Sequence, residues 1–287
     1  MQRVSDYLNL IKLRLISLLL FVAIVSMVVA KGYSLSSKIL FEMLILGFLG
    51  LSGSGILNNY FDRDVDAKMS RTSDRPIPAG RVSPQAALLT GIALVTISVV
   101  LSAIFLNLLT AFIIGSGSFL YLWLYTLRLK RRTPNAVVWG GLSGAIPALG
   151  GWAAVANSNW VVPILIFLTI FLWQPGHFWS LSMFVKEDYE NVGIPVLPVL
   201  KGEKQVAKYA IVWNITVVPV TYLLYLFGDF TRFYLYAITV LNAWLIIFSL
   251  LCYFDNRKSV YRSSFRFSLV YMLMFLLALV VGRLLVS

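Results

Sequence analysis

The stretch NNYFDRDVDAKMSRTSDRPIPAGRVSP, Asn58 to Pro84, carries four of the chain's twelve acidic residues and five of its twenty-four basic ones. Long apolar segments flank it on both sides. So much charge between two runs of membrane length marks a site rather than a plain turn. Asn58, Asp62 and Asp66 are spaced i, i+4, i+8, and a helix continued through them puts all three on one face. Asp64 then points about 160° away from that face. Hard oxygen ligands in such a row suit Mg²⁺ held together with substrate phosphates. Arg71, Arg75 and Arg81 follow at once, and guanidinium forks match phosphate oxygens.

The 287-residue chain is 59% hydrophobic and only 13% charged, about half the charge of a soluble domain. The runs 82–127 and 133–185 contain no Lys, Arg, Asp or Glu at all. A helix needs about 20 apolar residues to cross the hydrocarbon, so the sequence reads as an all-α polytopic membrane protein. Nine spans are expected: Leu13–Ala30, Ile39–Tyr60, Gln85–Phe105, Leu109–Leu127, Asn135–Ala156, Trp160–Phe184, Tyr209–Phe227, Phe233–Phe254 and Phe267–Val286. The first is read as a retained helix, because its fourteen-residue leader contains Asp6 and fits a cleaved signal segment poorly. With these spans, twenty Lys and Arg lie on one side and four on the other. The positive-inside rule then puts the amino terminus on the cytoplasmic side. The net charge of +12 follows the same rule and does not indicate nucleic acid. No loop is long enough for a core of its own, so residues 1–287 form one transmembrane domain.

Acidic residues cluster on the basic side as well, in the first stretch and again at Glu187, Asp188 and Glu190. Asp62-x-Asp64-x-Asp66 is not a calcium loop, since Ala67 and Ser73 stand where such a loop needs Gly and Glu. Lys130-Arg131-Arg132, after Tyr125, reads either as a charge anchor or as a holder for a departing diphosphate. Trp173-Gln174-Pro175-Gly176-His177-Phe178-Trp179 contains the single histidine, an ionisable group inside a span, in a helix that proline should kink. Its aromatics either line a pocket for a flat or cationic species or form an interfacial belt. The run Gly140-Gly141-Leu142-Ser143-Gly144-Ala145 reads as close helix packing, or alternatively as a flat ligand passing near the backbone. Asn242 is a lone intramembrane amide without a role.

Asn58-x-x-x-Asp62-x-x-x-Asp66 followed by Met69-Ser70-Arg71-Thr72-x-x-Arg75-Pro76 resembles the first aspartate-rich motif of the UbiA-type intramembrane prenyltransferases. Three further stretches resemble one branch, the protoheme IX farnesyltransferases. They are Tyr125-Thr126-x-x-Leu129-Lys130-Arg131-x-Thr133, the glycine run continued to Gly151-Trp152, and Trp173-Gln174 to Phe178 with Asp188-Tyr189-x-x-x-Gly193-Ile194-Pro195. The branch usually has proline directly before its histidine; here the order is Gln174-Pro175-Gly176-His177. Residues 8 to 205 carry the resemblance, and the last three spans share it only in layout.

The resemblance implies a helical bundle around a central cavity, with the active site on the cytoplasmic side of the cell membrane. It implies farnesyl transfer from farnesyl diphosphate to heme B, giving heme O for heme biosynthesis serving terminal oxidases. Mg²⁺ would be held by Asn58, Asp62, Asp66 and Asp188, the diphosphate by Arg71, Arg75 and Lys130, and the heme by His177, Trp173, Gln174 and Tyr125. The implied partners are the two substrates, the lipid bilayer and a downstream heme-modifying enzyme. A quinone precursor or glycerol phosphate as acceptor is the rival within the superfamily. A transporter is the rival outside it, but would want acids near the bilayer midplane, and the only acid inside a span is Glu42, near an outer end.

Overall fold

The computed structural model of the protein describes residues 2–286 apart from Arg71, with the backbone alone for residues 2–4. Among the described residues all regular structure is helical. A short α1 (Gln2–Ile11) precedes α2 (Leu13–Lys31), α3 (Ser37–Asp66), α4 (Pro84–Phe105), α5 (Leu108–Phe119), α6 (Ala136–Val155) and α7 (Val161–Phe184). Two short helices, α8 (Lys186–Asn191) and α9 (Leu197–Lys201), lead into α10 (Glu203–Phe227), α11 (Arg232–Phe254) and α12 (Lys258–Leu284). Eight segments of the described residues are long and apolar enough to cross a membrane. The other long helix, α6, has 20 residues and packs against α2, α5 and α7; glycine, proline and tryptophan take the place of aliphatic residues along it.

The helix ends show what charge-free runs do not reveal. α3 runs on to Asp66 and carries its polar stripe with it. α10 begins at Glu203 and α12 at Lys258, several residues ahead of the apolar stretches. Helical hydrogen bonding does not stop where the hydrocarbon ends, so charged turns extend both helices. α1 is too short and polar to read as a span. It packs its buried Leu10 near α3, and Asn59 Nδ2 donates to the Leu10 carbonyl at 2.9 Å.

Small residues set the helix spacing. At Gly151 the Ala23 carbonyl oxygen stands where a Cβ would be, so α2 and α6 meet backbone to backbone. Ser26 Oγ crosses the same seam to the Ala148 carbonyl at 2.6 Å. The intramembrane Asn242 now has a structural role. Its Nδ2 donates to Thr221 Oγ1 and its Oδ1 accepts from Tyr271 Oη, each at 2.9 Å, satisfying groups that are costly to bury unpaired.

Candidate active site

A cavity of about 450 Å³ opens among α2, α3, α5, α6 and α7, within the size range of ligand sites. α3 forms its spine. Met43, Gly47, Ser54, Asn58, Asp62 and Asp66 all line it, because spacings of three and four residues return to one face of a helix. The carboxylates and the floor of the cavity are therefore two ends of one stripe.

At the polar end, Asn58, Asp62 and Asp66 are 3%, 1% and 3% exposed. Asn58 Nδ2 donates to Asp62 Oδ2 at 2.9 Å and to Thr126 Oγ1 at 3.0 Å. Lys130 Nζ lies 2.6 Å from Asp62 Oδ2, and Arg75 Nη1 lies 2.6 Å from Asp66 Oδ2. The structure thus brings together Asn58, Asp62, Asp66, Arg75 and Lys130. Arg71 lies outside the described residues.

Lys130 reaches Asp62 from an unusual backbone. α5 continues as a ten-residue π-helix, Leu120–Leu129, in which Lys130 N bonds the Tyr125 carbonyl at 2.9 Å. Such wide turns are rare and gather at functional sites. Tyr125 faces the cavity and lies against Gly140, where an added Cβ would come within 2.5 Å of its Cδ2. One turn on, a Cβ at Gly144 would overlap the Gln174 side chain, whose Nε2 donates to the Gly141 carbonyl at 3.0 Å. The glycine run therefore seats two cavity-lining side chains as well as spacing helices.

Lys12 is a site residue that sequence reasoning missed. It joins α1 to α2 in the left-handed region, φ 60° and ψ 52°, a strained conformation for a residue with a Cβ. Its Nζ donates to Asn58 Oδ1 at 2.5 Å. Burial, and then the Arg75 guanidinium, lower its ammonium to about 7, against the attraction of Asp62. In the sequence it reads only as one of the basic residues that orient the chain. Arg75 and Lys130 offset the two carboxylates at the polar end, and Lys12 adds a further nitrogen donor whose charged form an anionic ligand would favour.

Other expected residues lie elsewhere. Asp64 faces outward, its side chain 58% exposed and paired to Arg131 at 2.6 Å. Arg81 binds Asp6 at 2.9 Å and Asp74 at 3.1 Å, so it ties α1 to the loop and does not line the cavity. Asp188, on α8, is half-buried and outside the cavity wall, which its neighbour Tyr189 does line. Among the described residues no three His, Cys, Asp or Glu side chains gather as a metal site. His177 and Trp173 are also absent from the wall. Gln174, Phe178 and Leu181 take that face of α7, so the face one residue back turns toward α12. There His177 lies between the rings of Trp173 and Phe265, at 4.4 and 4.7 Å. Its Nδ1 pairs with Ser268 Oγ at 2.5 Å.

A helical bundle of this shape, with an acidic row at the mouth of an apolar cavity, matches an established membrane enzyme fold. The family model described as the UbiA prenyltransferase family matches residues 19–281, and the chain belongs to that family. Similar proteins include the protoheme IX farnesyltransferase of Parvibaculum lavamentivorans, 41% identical over 83% of this chain and 74% of its own length. That of Rhodopseudomonas palustris is 38% identical over 94% of this chain and 87% of its own. A solved structure from work on digeranylgeranylglyceryl phosphate synthase in membranes superposes with a TM-score of 0.83 at 22% identity, covering 99% of each chain. A UbiA homolog from Archaeoglobus fulgidus, bound to DMAPP and Mg²⁺, superposes with a TM-score of 0.67 at 17% identity, over 96% of this chain and 99% of its own.

Proposed function

We propose that the protein transfers a farnesyl group from farnesyl diphosphate to a vinyl carbon of heme B and adds water, forming heme O. The observation that carries this reading is one helix face running from a buried Asn58/Asp62/Asp66 row into an apolar cavity. The relatives named protoheme IX farnesyltransferase supply the acceptor. A quinone or glycerol phosphate acceptor remains the rival in the same fold.

The chemistry is a substitution at an allylic carbon. The C1–O bond breaks with both electrons going to the diphosphate, and the vinyl π electrons form the new C–C bond. The cation left beside the porphyrin takes water and releases a proton. Arg75, Lys130 and Lys12 donate to the diphosphate as its charge grows. The apolar wall and the rings of Tyr121, Tyr125 and Phe178 keep water from the allylic cation and offer it π faces. Tyr125 and Gln174 stand where an acceptor meets the donor, and His177 and Trp173 support that wall from behind.

The residues present fit Mg²⁺. Asp62 Oδ1 is buried, without a hydrogen-bond partner, and belongs to a carboxylate that lines the cavity. Asp62, Asp66 and Asn58 would hold the ion, with Asp188 joining only if α8 moves. Bound there, Mg²⁺ supplies a Lewis acid for the leaving phosphate oxygens. The basic end of the bundle that bears this site faces the cytoplasm of the cell membrane.

The test is incubation of purified protein with heme B, farnesyl diphosphate and Mg²⁺, with and without EDTA, followed by chromatography and mass spectrometry of the hemes. A heme that gains one farnesyl group and one water, and fails to form with EDTA, is expected. No new heme, but prenylation of an aromatic or glycerol phosphate acceptor, would replace the acceptor in this reading.

A further inference from the structure

The deep end of the cavity is built differently from its mouth. Beyond Ser54 its wall is apolar or glycine, with Gly47, Leu20, Ile113, Met43 and Gly150 among its residues. Three helices converge there. A Cβ placed on Gly150 of α6 would lie 3.5 Å from Ile113 Cγ2 of α5 and 3.8 Å from Met43 Cε of α3. Met43 packs in a buried cluster with Ala23, Met27 and Ala154, and neither Met27 nor Ala154 lines the cavity. Higher up, Leu20 Cδ2 of α2 packs against Gly47, 2.8 Å from where a Cβ would stand, so a side chain there would push Leu20 aside.

We propose that Met43, Ile113 and Gly150 form the floor of the isoprenoid groove and set the longest donor tail the enzyme accepts. The inference rests on the prenyl-transfer reading above. From Asp62 to Met43 is nineteen residues of one helix, about 28 Å at 1.5 Å per residue. An extended isoprene unit spans about 5 Å, being four bonds of about 1.5 Å in zigzag. Allowing for a diphosphate and its metal at the mouth, about 20 Å of groove remains at 1.5 Å per residue, so three such units fit with room to spare and a fourth abuts Met43. A farnesyl tail fits with the allylic carbon near Asn58 and Tyr121. Longer tails meet Met43.

Donor binding tests this without the acceptor. The affinities of the non-reacting geranyl, farnesyl and geranylgeranyl thiodiphosphates are measured calorimetrically with Mg²⁺, for the full-length protein in detergent. Met43→Ala is expected to favour the geranylgeranyl analogue over the farnesyl one by about tenfold relative to wild type, the discrimination that a few buried carbons carry. Gly150→Leu fills the floor and is expected to shift preference toward geranyl by a similar factor. Gly150→Ala adds only ordinary contacts and keeps the wild-type order. Should Gly150→Leu fail to fold, Met43→Phe fills the same space from the opposite wall. Wild-type ratios in both Met43→Ala and a filled variant that still bind would overturn the floor, meaning that the tail leaves sideways between helices. Absence of binding by all three analogues to wild type would instead remove the prenyl-transfer reading.

Discussion

Asp62→Ala is expected to lower kcat by about 10²–10³-fold, the loss typical of removing one group that stabilises developing charge, while Asp64→Ala stays within about fivefold, as expected for an exposed ion pair. The two aspartates are two residues apart and differ in everything that matters. Asp62 is 1% exposed, holds Lys130 at 2.6 Å, and keeps a second, buried oxygen without a hydrogen-bond partner. Asp64 pairs with Arg131 on the outer face. Steady-state turnover of heme B and farnesyl diphosphate checks the contrast, with Asp62→Asn as the charge-only variant. Asp62→Asn keeps the shape of the side chain, so its loss of turnover should match that of alanine. Turnover within tenfold of wild type for Asp62→Ala would remove the acidic row as the metal site. Equal loss at Asp64 would mean that both faces of α3 serve the reaction.

Gly151→Val is expected to have the largest effect on stability. The new Cβ falls on the Ala23 carbonyl oxygen, and a backbone atom cannot rotate away as a side chain can. Relief requires α2 to move off α6, which also breaks the Ser26 to Ala148 bond. The cost should lie at or above the upper end of the roughly 1–3 kcal/mol seen for overpacking. The readouts are yield in detergent and the thermal midpoint of the purified protein. Gly115→Ala is the matched control, because its Cβ would meet only Val99 Cγ2 at 3.6 Å and should leave the midpoint unchanged. A Gly151→Val protein with a wild-type midpoint would show that the α2–α6 seam can open at little cost.

Both predictions depend on where α2 and α6 place their backbones. The cavity needs α6 close enough for Gly140 to seat Tyr125 and Gly144 to seat Gln174. It also needs α2 close enough for Lys12 to reach Asn58. Loosening the seam at Gly151 should therefore lower donor affinity even in protein that stays folded.

The membrane class, the approximate position of the helices and the acidic face are all legible in the residues alone. Each rests on local physics. Hydrocarbon tolerates few charges, and residues at i, i+4 and i+8 share one side of a helix however the bundle packs. That is why Asn58, Asp62 and Asp66 were legible as a row, and Asp64 as an outsider. Which cations meet that row depends on how the helices pack. Lys12 lies 46 residues from Asn58 and Lys130 lies 68 from Asp62, and no periodicity spans such gaps. The same limit applies to α7. The sequence marked Trp173 to Trp179 as special, but which of its faces meets the cavity depends on the rotation of the helix against α6 and α12. That rotation gave the wall to Gln174 and Phe178, and turned His177 toward Ser268. The depth of the groove is the third such quantity, since Met43, Ile113 and Gly150 become neighbours only when three helices pack together.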